Sequence, residues 1–215
     1  MKRILCYGDS NTYGCDARRM PIDGTNGRYD EQTRWTCLLE KELGPDWRVC
    51  EAGMNGRTTV FEDPLEAGRC GIATLDVVFK SAAPVDLVIV MLGTNDLKDQ
   101  FSASAPVIAW GLERLVVRLR ELIAESLNPA AKILLVAPAN VAASASGEFY
   151  YDISERSVKN GERLPALYAA AAEKHGCLFA DAGQWVKTDP SDGVHLSPES
   201  HRVLAARLAE IARKI

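Results

Sequence analysis

No two of the six cysteines (Cys6, Cys15, Cys37, Cys50, Cys70 and Cys177) stand in a C-x-x-C pair, which removes zinc-ribbon and dithiol redox readings. Long apolar runs are also missing. The longest, Val85 to Leu92, is interrupted by Asp86 and is far too short to cross a bilayer. The opening residues, Met1 to Tyr7, lack the apolar stretch of a signal peptide, so a reduced, cytoplasmic protein with no membrane attachment is expected. Basic charge is not in excess: 25 Lys+Arg against 29 Asp+Glu give a net charge of -4, which argues against a nucleic-acid partner. There is no H-E-x-x-H, no Walker P-loop and no G-x-G-x-x-G loop, so neither a metal nor a phosphate-bearing cofactor is expected. A G-x-S-x-G elbow is absent as well, which counts against the α/β-hydrolase scaffold.

What is present is the composition of an ordinary globular chain: 215 residues, 47% hydrophobic and 25% charged, enough for one domain spanning 1–215. Short apolar runs alternate with helical periodicity, the pattern of a parallel α/β sheet. Strands are expected at Arg3–Tyr7, Trp47–Glu51, Asp86–Leu92, Lys132–Ala137 and Cys177–Ala180. Helices are expected at Glu31–Leu43, Ile72–Ser81, Pro106 to about Ser126 and Leu164–His175, with a last helix entered through Ser197 and Pro198. Two segments resist this grammar, Cys15–Asp30 and Val141–Gly161, and read as functional loops or as surface insertions. The second carries Phe149, Tyr150 and Tyr151, which suit either the lining of an acyl or aryl pocket or a subunit interface.

Ligands of an open parallel sheet bind beyond the carboxyl ends of its strands. Just past the expected strand ends stand Ser10, then Gly53 and Asn55, then Asn95 and Asp96, and finally Asp192-Gly193-Val194-His195 before the last helix. Such a set has the logic of acyl transfer. A serine hydroxyl needs a base to accept its proton, and histidine serves at neutral pH. The imidazole needs a carboxylate to fix its tautomer, which Asp192 can supply three residues before His195. The developing oxyanion needs donors, for which the amides of Ser10 and Gly53 and the side chain of Asn95 are candidates.

Gly8-Asp9-Ser10-Asn11-Thr12, Gly53, Gly93-Thr94-Asn95-Asp96 and Asp192-x-x-His195 resemble, in order, the four sequence blocks of the SGNH-hydrolase or GDSL esterase/lipase superfamily. The likeness is strongest to small bacterial arylesterases and acyltransferases, through Arg3 to Ser10, Arg34-Trp35-Thr36, Gly56-Arg57-Thr58-Thr59, Leu87 to Asp96 and Phe179 to Gly183. It implies a three-layer α/β/α flavodoxin-like fold with a five-stranded parallel sheet in the order 2-1-3-4-5. It also implies hydrolysis of short acyl esters, without metal or cofactor, through an acyl-serine on Ser10. His195 would be the base, Asp192 its acid, and Ser10, Gly53 and Asn95 the oxyanion hole. Acyl transfer to alcohols or peroxide is expected because an acyl-enzyme partitions between nucleophiles, and self-association into a homo-oligomer from the long loops and the resemblance together. Asn11 departs from the family's usual Leu, which weakens a lipase reading more than an esterase one.

Each motif alone has a plainer explanation, as a turn, a cap or a helix entry. Asp9 is expected to stabilise its turn, Asp96 to anchor the loop of Asn95, and Arg57 to hold the second loop in place or to steer a carboxylate-bearing substrate. Asp181 is the rival to Asp192, since it too ends a strand. His175 suits a helix C-terminus and His201 a surface or packing position. Two other functions stay open: a carbohydrate acetylesterase, and a flavodoxin-like module that binds a small molecule without turnover.

Overall fold

The computed structural model describes residues 1–18 and 27–215, so part of the 15–30 loop lies outside the described residues. Five strands form one parallel sheet: β1 (Lys2–Gly8), β2 (Trp47–Gly53), β3 (Leu87–Met91), β4 (Lys132–Ala137) and β5 (Leu178–Asp181). Their order is β2-β1-β3-β4-β5, as expected. The register brings Gly8 opposite both Gly53 and Met91, so the carboxyl ends of the first three strands finish side by side.

Alternation along the strands explains the layers, because successive side chains of a strand point to opposite faces. From β1, Leu5 and Tyr7 join one core with Val88, Val90 and Leu135. Ile4 and Cys6 join the other with Leu87, Ile89, Leu134 and Val136. The first core is closed by α3 (Gly71–Ala82), α4 (Ala105–Ala124) and α6 (Leu164–His175), through Leu75, Phe79, Leu112, Leu115 and Tyr168. The second is closed by α2 (Trp35–Leu43) and α7 (Pro198–Ala212), through Trp35, Leu39, Leu204 and Leu208. Both faces of the central strand are thus covered, which is why β3 is apolar throughout.

Two elements differ from their sequence patterns. The helix expected from Glu31 begins at Trp35, because Asp30 first closes a turn with Thr33 and Arg34, and Arg34 is extended at φ -61°, ψ 130°. Its guanidinium meets Glu51 of β2 instead of continuing the helix. Within the 141–161 loop lies a short helix, α5 (Glu155–Gly161), that carries no apolar stripe. It is fixed by polar contacts: Ser157 Oγ accepts from the Ser154 amide and donates to the Leu97 carbonyl. No helix among the described residues is long and apolar enough to cross a membrane.

Candidate active site

Strand β1 ends at Gly8, and Asp9 caps the single-turn helix α1 (Ser10–Tyr13) by accepting the Asn11 amide at 2.9 Å. This places the Ser10 hydroxyl at the carboxyl edge of the sheet, where the loop from Asp192 to Leu196 reaches it. Ser10 Oγ lies 3.0 Å from His195 Nε2, and His195 Nδ1 lies 2.6 Å from Asp192 Oδ2. The other oxygen of Asp192 accepts the amides of Val194 and His195 at 2.9 and 3.0 Å. With Nδ1–H donating to the carboxylate, Nε2 is the acceptor that faces the serine. All three side chains are buried.

Burial favours neutral forms, and the site overrides it. Burial pushes the Asp192 carboxyl up, but hydrogen bonds from His195 and the loop amides hold it below its ordinary range. Burial likewise pushes His195 down, yet its contacts with Asp192 and Cys15 raise it above the usual imidazole value.

Asn95 reaches the same pocket from the turn after β3. Its Nδ2 donates to the Arg57 carbonyl at 3.1 Å, leaving a second hydrogen directed elsewhere. Arg57 is the anchor expected of it: its Nη1 donates to the Gly8 carbonyl at 2.8 Å and to the Ala52 carbonyl, joining the ends of β1 and β2. Asp96 accepts the Thr59 amide at 3.0 Å and the Thr59 hydroxyl, tying the loop of Asn95 to the same segment. Burial pushes both Asp9 and Asp96 up to about 6.

Gly53 and Gly56 stand differently toward the pocket. A Cβ on Gly53 would fall 2.0 Å from the Tyr13 amide nitrogen, so glycine there is required by packing against α1. Gly53 does not line the pocket that contains Ser10, whereas Asn55 and Gly56 do. The Arg57 amide bonds back to Met54 O, and Gly56 in that turn has φ 74°, the positive value a type II turn needs at its third position.

The aromatic triplet also separates. Tyr151 lines the pocket and sets its ring edge-on to His195, with centroids 5.3 Å apart and planes at 82°. Phe149 packs against the core, and Tyr150 donates to Glu148. Tyr151 and Asp152 both have positive φ, 56° and 60°, a costly conformation for side-chain-bearing residues. Asp152 secures it by accepting the amides of Asp99 and Gln100 at 2.9 and 2.7 Å.

Asn11 is a contributor that the motif gave no reason to expect. Its Oδ1 accepts the Leu196 amide at 2.9 Å and its Nδ2 donates to the Val194 carbonyl at 3.3 Å. One carboxamide beside the serine therefore grips the backbone on both sides of His195.

The rivals lie elsewhere. Asp181 accepts the Gly183 amide, and His175 contacts Glu113 at 2.9 Å. His201 is fully buried, accepting the Trp35 amide at 3.2 Å, so it is a packing and not a surface residue. Burial drives it down to about 3. Larger clefts exist, among them one of about 530 Å³ near Lys132 and Leu178 at the amino ends of β4 and β5, but they lack a serine–histidine pair. Among the described residues no group of three or more His, Cys, Asp or Glu is arranged to hold a metal ion.

A model of the GDSL-like lipase/acylhydrolase family matches residues 6–203. The chain belongs to that family. Solved structures of the same kind cover it fully. The native aryl esterase of M. smegmatis is 34% identical, with 100% of this chain and 99% of that chain covered and a TM-score of 0.90. A carbohydrate acetylesterase from Sinorhizobium meliloti is 32% identical, with 100% and 99% covered and a TM-score of 0.89. A lipase/acylhydrolase from Enterococcus faecalis, 17% identical with 100% and 96% covered and a TM-score of 0.71, shares the fold. No curated protein matches the chain. This GDSL family member has the SGNH-hydrolase fold and is a carboxylic ester hydrolase, which sets aside the reading of a binding module without turnover.

Proposed function

We propose that this GDSL family member hydrolyses small carboxylic esters, acetyl esters foremost, through an acyl-enzyme on Ser10. The observation that carries the reading is the 3.0 Å approach of Ser10 Oγ to His195 Nε2. Nε2 takes the serine proton as Oγ attacks the carbonyl carbon, and Asp192 stabilises the resulting imidazolium. The tetrahedral oxyanion is met by the Ser10 amide, the free hydrogen of Asn95 Nδ2 and, in place of the expected Gly53, the amide of Gly56, an assignment supported by Gly56 and not Gly53 lining the pocket. His195 then hands the proton to the departing alcohol oxygen, the C–O bond breaks, and water activated by the same nitrogen releases the acid. An alcohol taking the place of water would give acyl transfer.

Size favours short acyl groups. The pocket encloses about 140 Å³, and Tyr151, Ile153 and Val194 form its apolar part. The polar walls, Asn55, Glu66, Arg69 and Lys98, give specific support to a second reading, in which the alcohol is a sugar. The likeness to a carbohydrate acetylesterase agrees with it. The test is hydrolysis of p-nitrophenyl acetate by the wild type and by Ser10→Ala, with a fluorophosphonate probe reporting on the serine. Turnover and labelling lost together in a folded Ser10→Ala protein support the mechanism, and unchanged turnover refutes it. Faster release of acetate from acetylated sugars than from aryl acetates selects the second reading.

A further inference from the structure

The walls around Ser10 carry charge, and the charge does not balance. Glu66, Arg69 and Lys98 line the same pocket as Ser10, Asn95 and His195. Arg69 is already occupied: its Nε and Nη2 lie 2.8 and 2.5 Å from Glu66 Oε2, so these two cancel. Lys98 is half-buried, and its ammonium makes no ion pair among the described residues.

The acids Asp99, Asp63 and Asp192 each have hydrogen-bond partners other than Lys98. Asp99 is held by Arg156 at 2.8 Å and by the Ser154 hydroxyl at 2.9 Å. Asp63 accepts from the amides of Leu65 and Glu66 and from the Gln100 carboxamide. Asp192 is taken by His195 and the amides of its own loop. Among the described residues, Lys98 is therefore a cation without an ion pair in the wall of the pocket that holds Ser10, in a protein whose net charge is -4. The same wall has a second unsatisfied group: Asn55 Oδ1 is buried without a hydrogen-bond partner. As an acceptor, that oxygen calls for an N–H or O–H donor.

We infer that Lys98 recognises a carboxylate on the substrate, so that the enzyme prefers esters bearing an acid group over neutral esters of the same shape. This rests on the ester-hydrolase reading above and names its substrate class. A half-buried ammonium attracts an anion more strongly than one in open solvent, because the local dielectric is lower. Lysine acts as a point charge on a flexible stem, so it tolerates the varied positions a carboxylate takes in different esters. The Asn55 oxygen, an acceptor, suits a hydroxyl or N–H elsewhere on such a ligand and not the carboxylate itself.

Two matched pairs test the idea, one with the charge on the alcohol side and one with it on the acyl side. They are 4-acetoxybenzoate against 4-acetoxybenzamide, and mono-4-nitrophenyl succinate against 4-nitrophenyl succinamate. The reading is the ratio of kcat/KM, acid over amide, in the wild type, Lys98→Gln and Lys98→Arg. Because it is a ratio within one preparation, partial misfolding of a variant does not alter it. In the wild type at least one pair should favour the acid by about fivefold or more, at or beyond the top of the range for an exposed ion pair. That preference should collapse toward one in Lys98→Gln, persist in Lys98→Arg and shrink with added salt. Equal rates for acid and amide in both pairs overturn the inference, as does a preference that survives Lys98→Gln. The neutral amide esters, run with Ser10→Ala, separate the two levels: if Ser10→Ala still cleaves them, the serine mechanism has failed and not the recognition of charge.

Discussion

Asn95 gives one of its two amide hydrogens to the Arg57 carbonyl, 3.1 Å away, and that bond aims the other. The carbonyl belongs to the residue whose guanidinium joins the ends of β1 and β2. The end of β1, the second loop and Asn95 are therefore all tied to one residue, Arg57, through its guanidinium and its carbonyl. Removing an oxyanion donor typically costs on the order of 10²–10³ in kcat. Asn95→Ala should show a loss of that size with KM little changed, since the donor acts on charge that exists only in the transition state. Steady-state kinetics on p-nitrophenyl acetate decide it, and a loss confined to KM would contradict the role.

The pair of Asp192 and His195 makes a signed prediction about pH. Asp192 holds the histidine above its ordinary value against the downward push of burial. Attack requires the neutral imidazole, so kcat/KM should rise with pH through the titration of His195. In Asp192→Asn the supporting charge is gone and burial acts with less opposition. The acidic limb should then move to lower pH, while the plateau falls by as much as about 10⁴-fold because the tautomer is no longer fixed. A pH–rate profile of both proteins measures the two effects together. An acidic limb that stays in place, or moves upward, would show that another group controls it.

Asn11 grips the Val194 carbonyl and the Leu196 amide, and replacing it orphans both inside the protein. Each buried group left unpaired costs about 1–3 kcal/mol. Asn11→Ala should be less stable in denaturant melts and slower in kcat, because His195 lies between the two released points. Asn11→Asp, which keeps the acceptor for Leu196, should recover part of both losses. Wild-type rates in Asn11→Ala would show that the Asp192 loop holds His195 without help.

Much of this was readable from the chain. Strand periodicity located the sheet, and the rule that ligands gather at carboxyl ends selected Ser10, Asn95, Asp192 and His195, which meet in space at that edge. What escaped has physical reasons. Helix α5 lacks an apolar stripe because its hold on the fold is polar, through Ser154 and Ser157. Asn11 sits within a motif whose logic concerns its neighbour, and its partners are more than 180 residues away. Tyr151 could not be told from Phe149 and Tyr150, since the chain direction set by the positive φ values at Tyr151 and Asp152 leaves no mark on aromatic composition.

Gly53 and Gly56 are distinguished by substitution. Alanine at 53 would drive its Cβ into the backbone of Thr12 and Tyr13, at 2.4 and 2.0 Å, where no side chain can move aside. Overpacking of that kind costs about 1–3 kcal/mol or more, so Gly53→Ala should melt earlier and displace α1 together with Ser10. Alanine at 56 meets only the flexible Arg69 side chain, at 3.2 Å, but must adopt φ 74°. That strain is about 1–2 kcal/mol, and it falls on the turn whose amide is assigned to the oxyanion. Gly56→Ala should therefore keep most of its stability and lose kcat more than KM, while Gly53→Ala loses stability first. Thermal melts read beside kcat and KM for the two variants give the answer. A stable, slow Gly53→Ala beside a fast Gly56→Ala would return the second donor to Gly53.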